Sequence, residues 1–337
     1  MKRKFDAVPR PDEAWLASWS EEIVEPDLPI IDAHHHLWDM RDWRYSAADF
    51  ARDLAVGHNV VATVFIEATG KAEDGHRPAL SPLQEAEIAD GVARDYRGLP
   101  RLCAAIVAHA DLGKGAAVES DLRRLLDVSS FVRGIRHSVA RDPAVRQFAP
   151  AGLMRDPAYR EGFRILQQVG MTYDAWVYHS QLEDLADLLR AFPEAPVALN
   201  HLGGRIGIGH YASAREDVDR QWRKGLLALA EFPNLHVKIG GLGMPMAGYN
   251  FHDRPSPPSS DDLSRAWRPY IEFAVETFGA DRCMFESNFP VDSVSFSYSV
   301  VWNSFKKITS SLSMDERRKL FFDTSRIFYK IDTIATI

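Results

Sequence analysis

Cysteine is almost missing from this chain. Two occur in 337 residues, Cys103 and Cys283, and neither lies in a CxxC pair. That argues against a disulfide framework and against a cysteine-based zinc centre, and it fits a reducing cytoplasm, the expected location. Long apolar runs are missing too. No stretch of about 18 apolar residues occurs, so no membrane span is expected. Lys2, Arg3 and Lys4 give the start positive charge, but no apolar stretch succeeds them, because Asp6, Pro9, Pro11 and Asp12 intervene, and a signal peptide is not expected. Nor is there an excess of basic charge. The formal net charge is -7, with both signs interspersed, unlike the footprint of a nucleic-acid binder. No basic amphipathic stretch points to a membrane surface. The expected partner is a small-molecule substrate, with assembly into a homo-oligomer left open.

What is present is a rhythm. Residues 1–28 are polar and proline-bearing and read as an N-terminal arm. From residue 29 to 332, short runs rich in Val, Ile and Leu alternate with longer amphipathic stretches. The runs cover 29–34, 60–67, 102–109, 132–137, 171–177, 196–201, 235–239 and 283–288. Continuous apolar runs suit strands buried on both faces of a parallel sheet. Between them, 84–95, 119–126, 159–169, 182–191, 221–232 and 267–278 carry apolar residues at helical spacing. Eight strand–helix units predict an α/β fold, a single (β/α)8 TIM-like barrel. The Gly-, Pro- and Ser-rich stretch 240–260 reads as a lid or a solvated insertion. Residues 314–329 read as a closing helix, with Ser313 as N-cap and Glu316 completing a capping box.

In such a barrel the chemistry sits where the strands end. The first run ends in His34 and His36, the second in Glu67 and the third in His109. The fourth ends in Arg136 and His137, and the fifth leads into Tyr178 and His179. The sixth ends in His201, the seventh carries Lys238, and the eighth ends in Glu286 and Asn288, with Asp292 just beyond. Histidine is a common metal ligand and a proton shuttle near neutral pH. Side chains alternate along a strand, so His34 and His36 share a side and can chelate one cation, while His35 packs against the wall. Arg136 offers a planar fork for a substrate carboxylate, or pairs with Glu67. Trp38, Trp176 and Tyr178 offer an apolar wall.

The segment Ile31-Asp32-Ala33-His34-His35-His36-Leu37-Trp38-Asp39 resembles the opening motif of the amidohydrolase-related family that includes sugar lactonases and 2-pyrone-4,6-dicarboxylate lactonase. Gly134–His137, Asn200–Gly203, Val237–Leu242 and Phe285–Asp292 also match in order and spacing. The resemblance implies a distorted barrel that opens a lactone. It implies His34, His36, His179 and His201 as catalytic residues, and one divalent metal, zinc or manganese, on His34, His36 and His179. Glu67, Arg136, His137, Tyr178 and Lys238 would bind substrate. The strand-eight position usually carries Asp, the base that activates water, and here it is Asn288. A neutral amide is no base and a poor cation ligand. Asp292, Glu67, Glu286 or the histidines are then the candidates for that task, and a metal-independent route stays open. A metal-dependent decarboxylase of aromatic acids and a non-catalytic small-molecule binder are the competing expectations.

Overall fold

The computed structural model describes residues 9–39, 43–68, 80–96, 98, 100–145 and 147–332. Eight parallel strands follow one another around a barrel in chain order. They are β1 (Ile30–His35), β2 (Val60–Ile66), β3 (Arg101–His109), β4 (Val132–Arg136), β5 (Thr172–Ala175), β6 (Val197–Leu199), β7 (Leu235–Ile239) and β8 (Cys283–Phe285). Side chains of β1 and β2 are buried throughout, as strands covered on both faces must be. The seam between β8 and β1 is held mainly by its ends: Asn288 N–H donates to His34 O at 2.9 Å, and His36 N–H to Phe289 O at 2.8 Å. A second clasp lies just below. The buried Asp32 carboxylate accepts from Ser287 N–H (2.9 Å), Ser287 Oγ (2.6 Å) and Tyr298 Oη (3.0 Å). The expected (β/α)8 barrel is the observed one.

Two apolar layers stabilise it. Inside the ring, Ile31, Val64, Val107, Ala198 and Met284 meet Phe322, Phe328 and Tyr329 of the C-terminal segment. Outside, the strands pack against helices such as Pro157–Val169, where Asp156 caps the first turn and Gly170 (φ +80°) ends the last. The capping box of Ser313 and Glu316 is present, but the helix it opens is broken by a π turn at Lys319–Asp323. Two helices begin earlier than their apolar spacing suggested: Arg215–Ala230, and Ser260–Phe278 behind the capping residue Ser259. Helices Ala47–Leu54 and Tyr298–Ile308, and a ribbon pairing Trp38–Asp39 with Arg44–Tyr45, were not foreseen. The 240–260 stretch is neither lid-like nor merely solvated. Its Leu242, Ala247 and Phe251 are buried, and Met246 O accepts from Gly207 N–H at 2.8 Å.

Residues 21–25 are fastened to helix Tyr298–Ile308. Asn303 Oδ1 accepts from Val24 N–H at 2.8 Å. The buried Lys306 ammonium donates to Val24 O, Glu25 O and His58 Nδ1 at 2.8–2.9 Å. His58 must stay neutral to accept that bond. Burial, then the neighbouring Lys306 charge, push it down to about 4. Below its ordinary value near 6.5 the unfolded chain takes up a proton that the folded one refuses, so stability falls as pH drops from 6.5 toward 4. This one group contributes up to about 1.4 kcal/mol per pH unit. His58→Gln keeps an acceptor for Lys306 and removes the titration. Urea midpoints measured between about pH 4 and 7 should therefore slope less steeply in the variant than in the wild type.

Candidate active site

The upper end of the barrel gathers polar side chains that its apolar wall would otherwise exclude. Among the described residues, one group of three metal-capable side chains converges: His34 from β1, His201 just after β6 and Glu286 just after β8. Their donor atoms lie within 4.8 Å of one another. All three are buried. Glu286 Oε1 accepts from His201 Nδ1 at 2.6 Å and from His201 N–H at 3.1 Å. Its Oε2 lies 2.9 Å from His34 Nδ1, but out of line for a hydrogen bond, so both atoms lack an aligned partner. His201 sits at φ +54°, and its ring passes over Gly241, where a Cβ would come within 2.5 Å of it. Gly240 leaves similar room for Glu286: a Cβ there would lie 2.4 Å from the Glu286 Cγ.

His36 stands beside this group. Its Nδ1 faces Ile66 O at 2.8 Å, which makes Nδ1 the donor, and its Nε2 lies 3.1 Å from His34 Nε2. Burial pushes His34, His36 and His201 far down, so the rings are neutral and carry lone pairs. Burial also pushes Glu286 up to about 8, against the opposing pull of Lys238. Buried imidazole nitrogens, a carboxylate oxygen without an aligned partner, and their mutual closeness fit a divalent cation of the zinc type.

Arg136 closes one side. Its Nε donates to Glu67 Oε1 and its Nη2 to Glu67 O, both at 2.6 Å, while Nη1 lies 3.4 Å from His34 Nε2. The ion pair with Glu67 is thus the observed arrangement, and one end of the guanidinium still reaches the histidines. Trp38 stacks near His36 (6.0 Å between ring centres) and Trp176 sets its edge on His201 (4.7 Å). Tyr178 is buried against Trp176 at 5.3 Å.

Several expected residues stand elsewhere. Lys238 is wholly buried below the histidines. Its Nζ lies 2.6 Å from Asp174 Oδ2 and donates to Ala33 O at 2.8 Å, so it is a core cation with no face toward a substrate. Asp174 also accepts from Tyr329 Oη at 2.9 Å. His179 does not join His34 and His36 in a metal-capable group. Its Nδ1 accepts from Ile206 N–H at 3.3 Å and its ring faces Tyr211 at 4.9 Å. His137 turns outward, accepting from Leu112 N–H at 3.1 Å. Asn288 Nδ2 donates to Asp292 Oδ1 at 2.8 Å, and Asp292 Oδ2 accepts from Gly243 N–H at 2.9 Å. His35 packs on Phe50 at 4.2 Å, away from the cluster. Glu286 was only one of several candidates for the missing acid. The signal that favours it is the Gly240-Gly241 pair, which clears space at the same level.

An α/β barrel with such a cluster above its strands is the frame of a hydrolase superfamily. The chain belongs to the amidohydrolase family, whose model matches residues 31–331. It is 35% identical to the uncharacterized protein y4mH of Sinorhizobium fredii, over 90% of this chain and 99% of that one. It is 27% identical to an L-fucono-1,5-lactonase of Burkholderia multivorans, over 89% of this chain and 96% of the relative. An amidohydrolase structure from Burkholderia multivorans with bound Zn shares the fold, with a TM-score of 0.72 and 21% identity, over 90% of this chain and 99% of that one. No helix among the described residues is long and apolar enough to cross a membrane.

Gly240→Ala tests the clearance directly. The added methyl meets both the side chain and the backbone of Glu286. Overpacking of this kind costs about 1–3 kcal/mol. Thermal denaturation should show the variant folded but less stable, and Gly91→Ala, where nothing lies within 4 Å, should not lower stability.

Proposed function

We propose that this chain hydrolyses a small lactone, sugar- or dicarboxylate-derived, by attack of water on the ring carbonyl. The observation that carries this reading is the buried meeting of His34, His201 and Glu286 above the strand ends, with Arg136 beside them. The relationship to an L-fucono-1,5-lactonase supports a lactone as substrate. His34, His201 and Glu286 would hold one divalent metal, which when bound supplies a Lewis acid for the carbonyl and lowers the pKa of water.

The remaining roles fall to the chain's own groups. Glu67 anchors two arms of Arg136 and leaves Nη1 beside His34, where a donor suits the developing oxyanion. Trp38 and Trp176 line the histidines and keep bulk water from them. Asp292 takes the proton of the attacking water. Gly243 N–H and Asn288 Nδ2 hold its two oxygens and leave a lone pair on each. Burial raises its pKa to about 8. A base must be ionised to accept, so kcat/KM falls as pH drops below about 8.

A panel of sugar and dicarboxylate lactones, followed by acid release, tests the assignment. On the best substrate, His34→Ala, His201→Ala and Asp292→Asn should each lower kcat by at least about a hundredfold. Near-normal turnover in either histidine variant would overturn the site. Carbon dioxide release without a ring-opened acid would make the chain a decarboxylase instead, and a ligand bound but unchanged across the panel would make it a binding protein.

A further inference from the structure

The loop after β7 meets the site at successive glycines. Gly240 makes room for Glu286, Gly241 lies against the His201 ring, and Gly243 N–H donates to Asp292 at 2.9 Å. The next residues are Met244-Pro245-Met246, and all three are only partly buried. The two methionines pack on an apolar cluster that is separate from the main core. Its buried members include Val145, Trp176, Ile206 and Ile208, from the loops after β4, β5 and β6. Trp176 belongs to both places, since its edge meets the His201 ring at 4.7 Å. Met246 O accepts from Gly207 N–H at 2.8 Å, which ties this loop to the segment that carries Ile206 and Ile208. The apolar shelf therefore borders the reacting centre twice, through Trp176 and through Gly243.

Charges beside the shelf are already answered. Arg136 is paired with Glu67, and Arg205, next to Ile206 in the chain, with Asp219. The buried Asp142 accepts from Tyr211 Oη (2.7 Å), Ala144 N–H (2.9 Å) and Ser180 Oγ (3.0 Å). An anionic substituent placed here would have to break one of these arrangements to find a partner. An apolar substituent would instead leave water for two thioethers and an indole. Methionine is unbranched and polarizable, so it fits groups of varied shape. We propose that Met244, Met246 and Trp176 select the substrate, an uncharged lactone whose alkyl or aryl substituent lies on this shelf. The proposal rests on the lactonase reading above and narrows it, away from dicarboxylate-derived rings.

The test compares δ-lactones that differ only at the carbon bonded to the ring oxygen, which carries hydrogen, n-propyl, phenyl or a carboxylate. Ring opening is followed by acid release, and affinity by calorimetric titration with the same lactones. In the wild type, kcat/KM for the propyl lactone should exceed that for the unsubstituted one at least about tenfold, since each buried methylene contributes about fourfold. The carboxylate lactone should fall below the unsubstituted one. Met244→Gln combined with Met246→Gln keeps side-chain length and adds polarity, and the propyl preference should shrink to within about threefold. The preference is a ratio within one protein, so a loss common to all the lactones cancels. Met314→Gln, at an exposed position elsewhere, should keep the wild-type ratio. Circular dichroism confirms folding, and if the double variant does not fold, each single substitution decides by the same ratio. Ring opening with no apolar preference in the wild type, or a preference that the folded methionine variants retain, overturns the proposal and leaves the lactonase reading standing. If no lactone opens, that reading falls and affinity decides. Tighter binding of the propyl lactone, lost with the methionines, then keeps the shelf as a binding site, and equal affinities overturn it as well.

Discussion

Everything in the site depends on one clasp, the Asp32 carboxylate bonded to Ser287 and Tyr298. It joins the first strand to the segment after the last, two parts of the chain far apart in sequence. Across that joint, Glu286 Oε2 stands 2.9 Å from His34 Nδ1. The carboxylate is buried and accepts four hydrogen bonds, the fourth from His34 N–H at 3.3 Å, and burial still pushes it up to about 6. Its bonds are thus made in a setting where leaving one unmade would be expensive. The backbone bonds at His34 and Asn288 then complete the ring.

Above this closure the site is layered by charge. Lys238 and Asp174 form a neutral pair in the core, and Arg136 and Glu67 form a second at the rim. Between them lie uncharged imidazoles and one carboxylate. A reacting group at this level would feel fixed dipoles and few mobile charges, which is the condition under which electrostatic stabilisation is strongest. The pairing of Arg136 with Glu67 also holds the guanidinium flat against one wall. Its free end reaches the histidines without side-chain motion.

Much of this was legible in the sequence. Apolar runs separated by helical patterns defined the barrel, because a strand buried on both faces has no other way to read. The strand ends pointed to His34, His36, His201 and Glu67, since polar residues at those positions have no reason in packing alone. What was not legible came from depth and direction. Lys238 lies on a strand facing inward but one layer too low, and a sequence does not show height along a barrel. His137 and His179 stand just beyond strand ends, where backbone N–H groups of Leu112 and Ile206 donate to their rings, contacts between distant segments that spacing does not show. Helix Ala47–Leu54 is short and Tyr298–Ile308 is apolar nearly all round, so neither shows a clear stripe. Glu286 was visible but not singled out, because its value depends on Gly240 in a different part of the chain.

The floor of the barrel adds an element of order in time. Tyr329 reaches Asp174 from the C-terminal segment, and Phe322 and Phe328 fill the space below the strands. A ribosome releases the first histidines long before these residues. The growing chain can pair its early strands, yet the Lys238–Asp174 pair has no complete lid until the final helical turns emerge. The packing beneath the site is therefore complete only once residues 322–329 have been made.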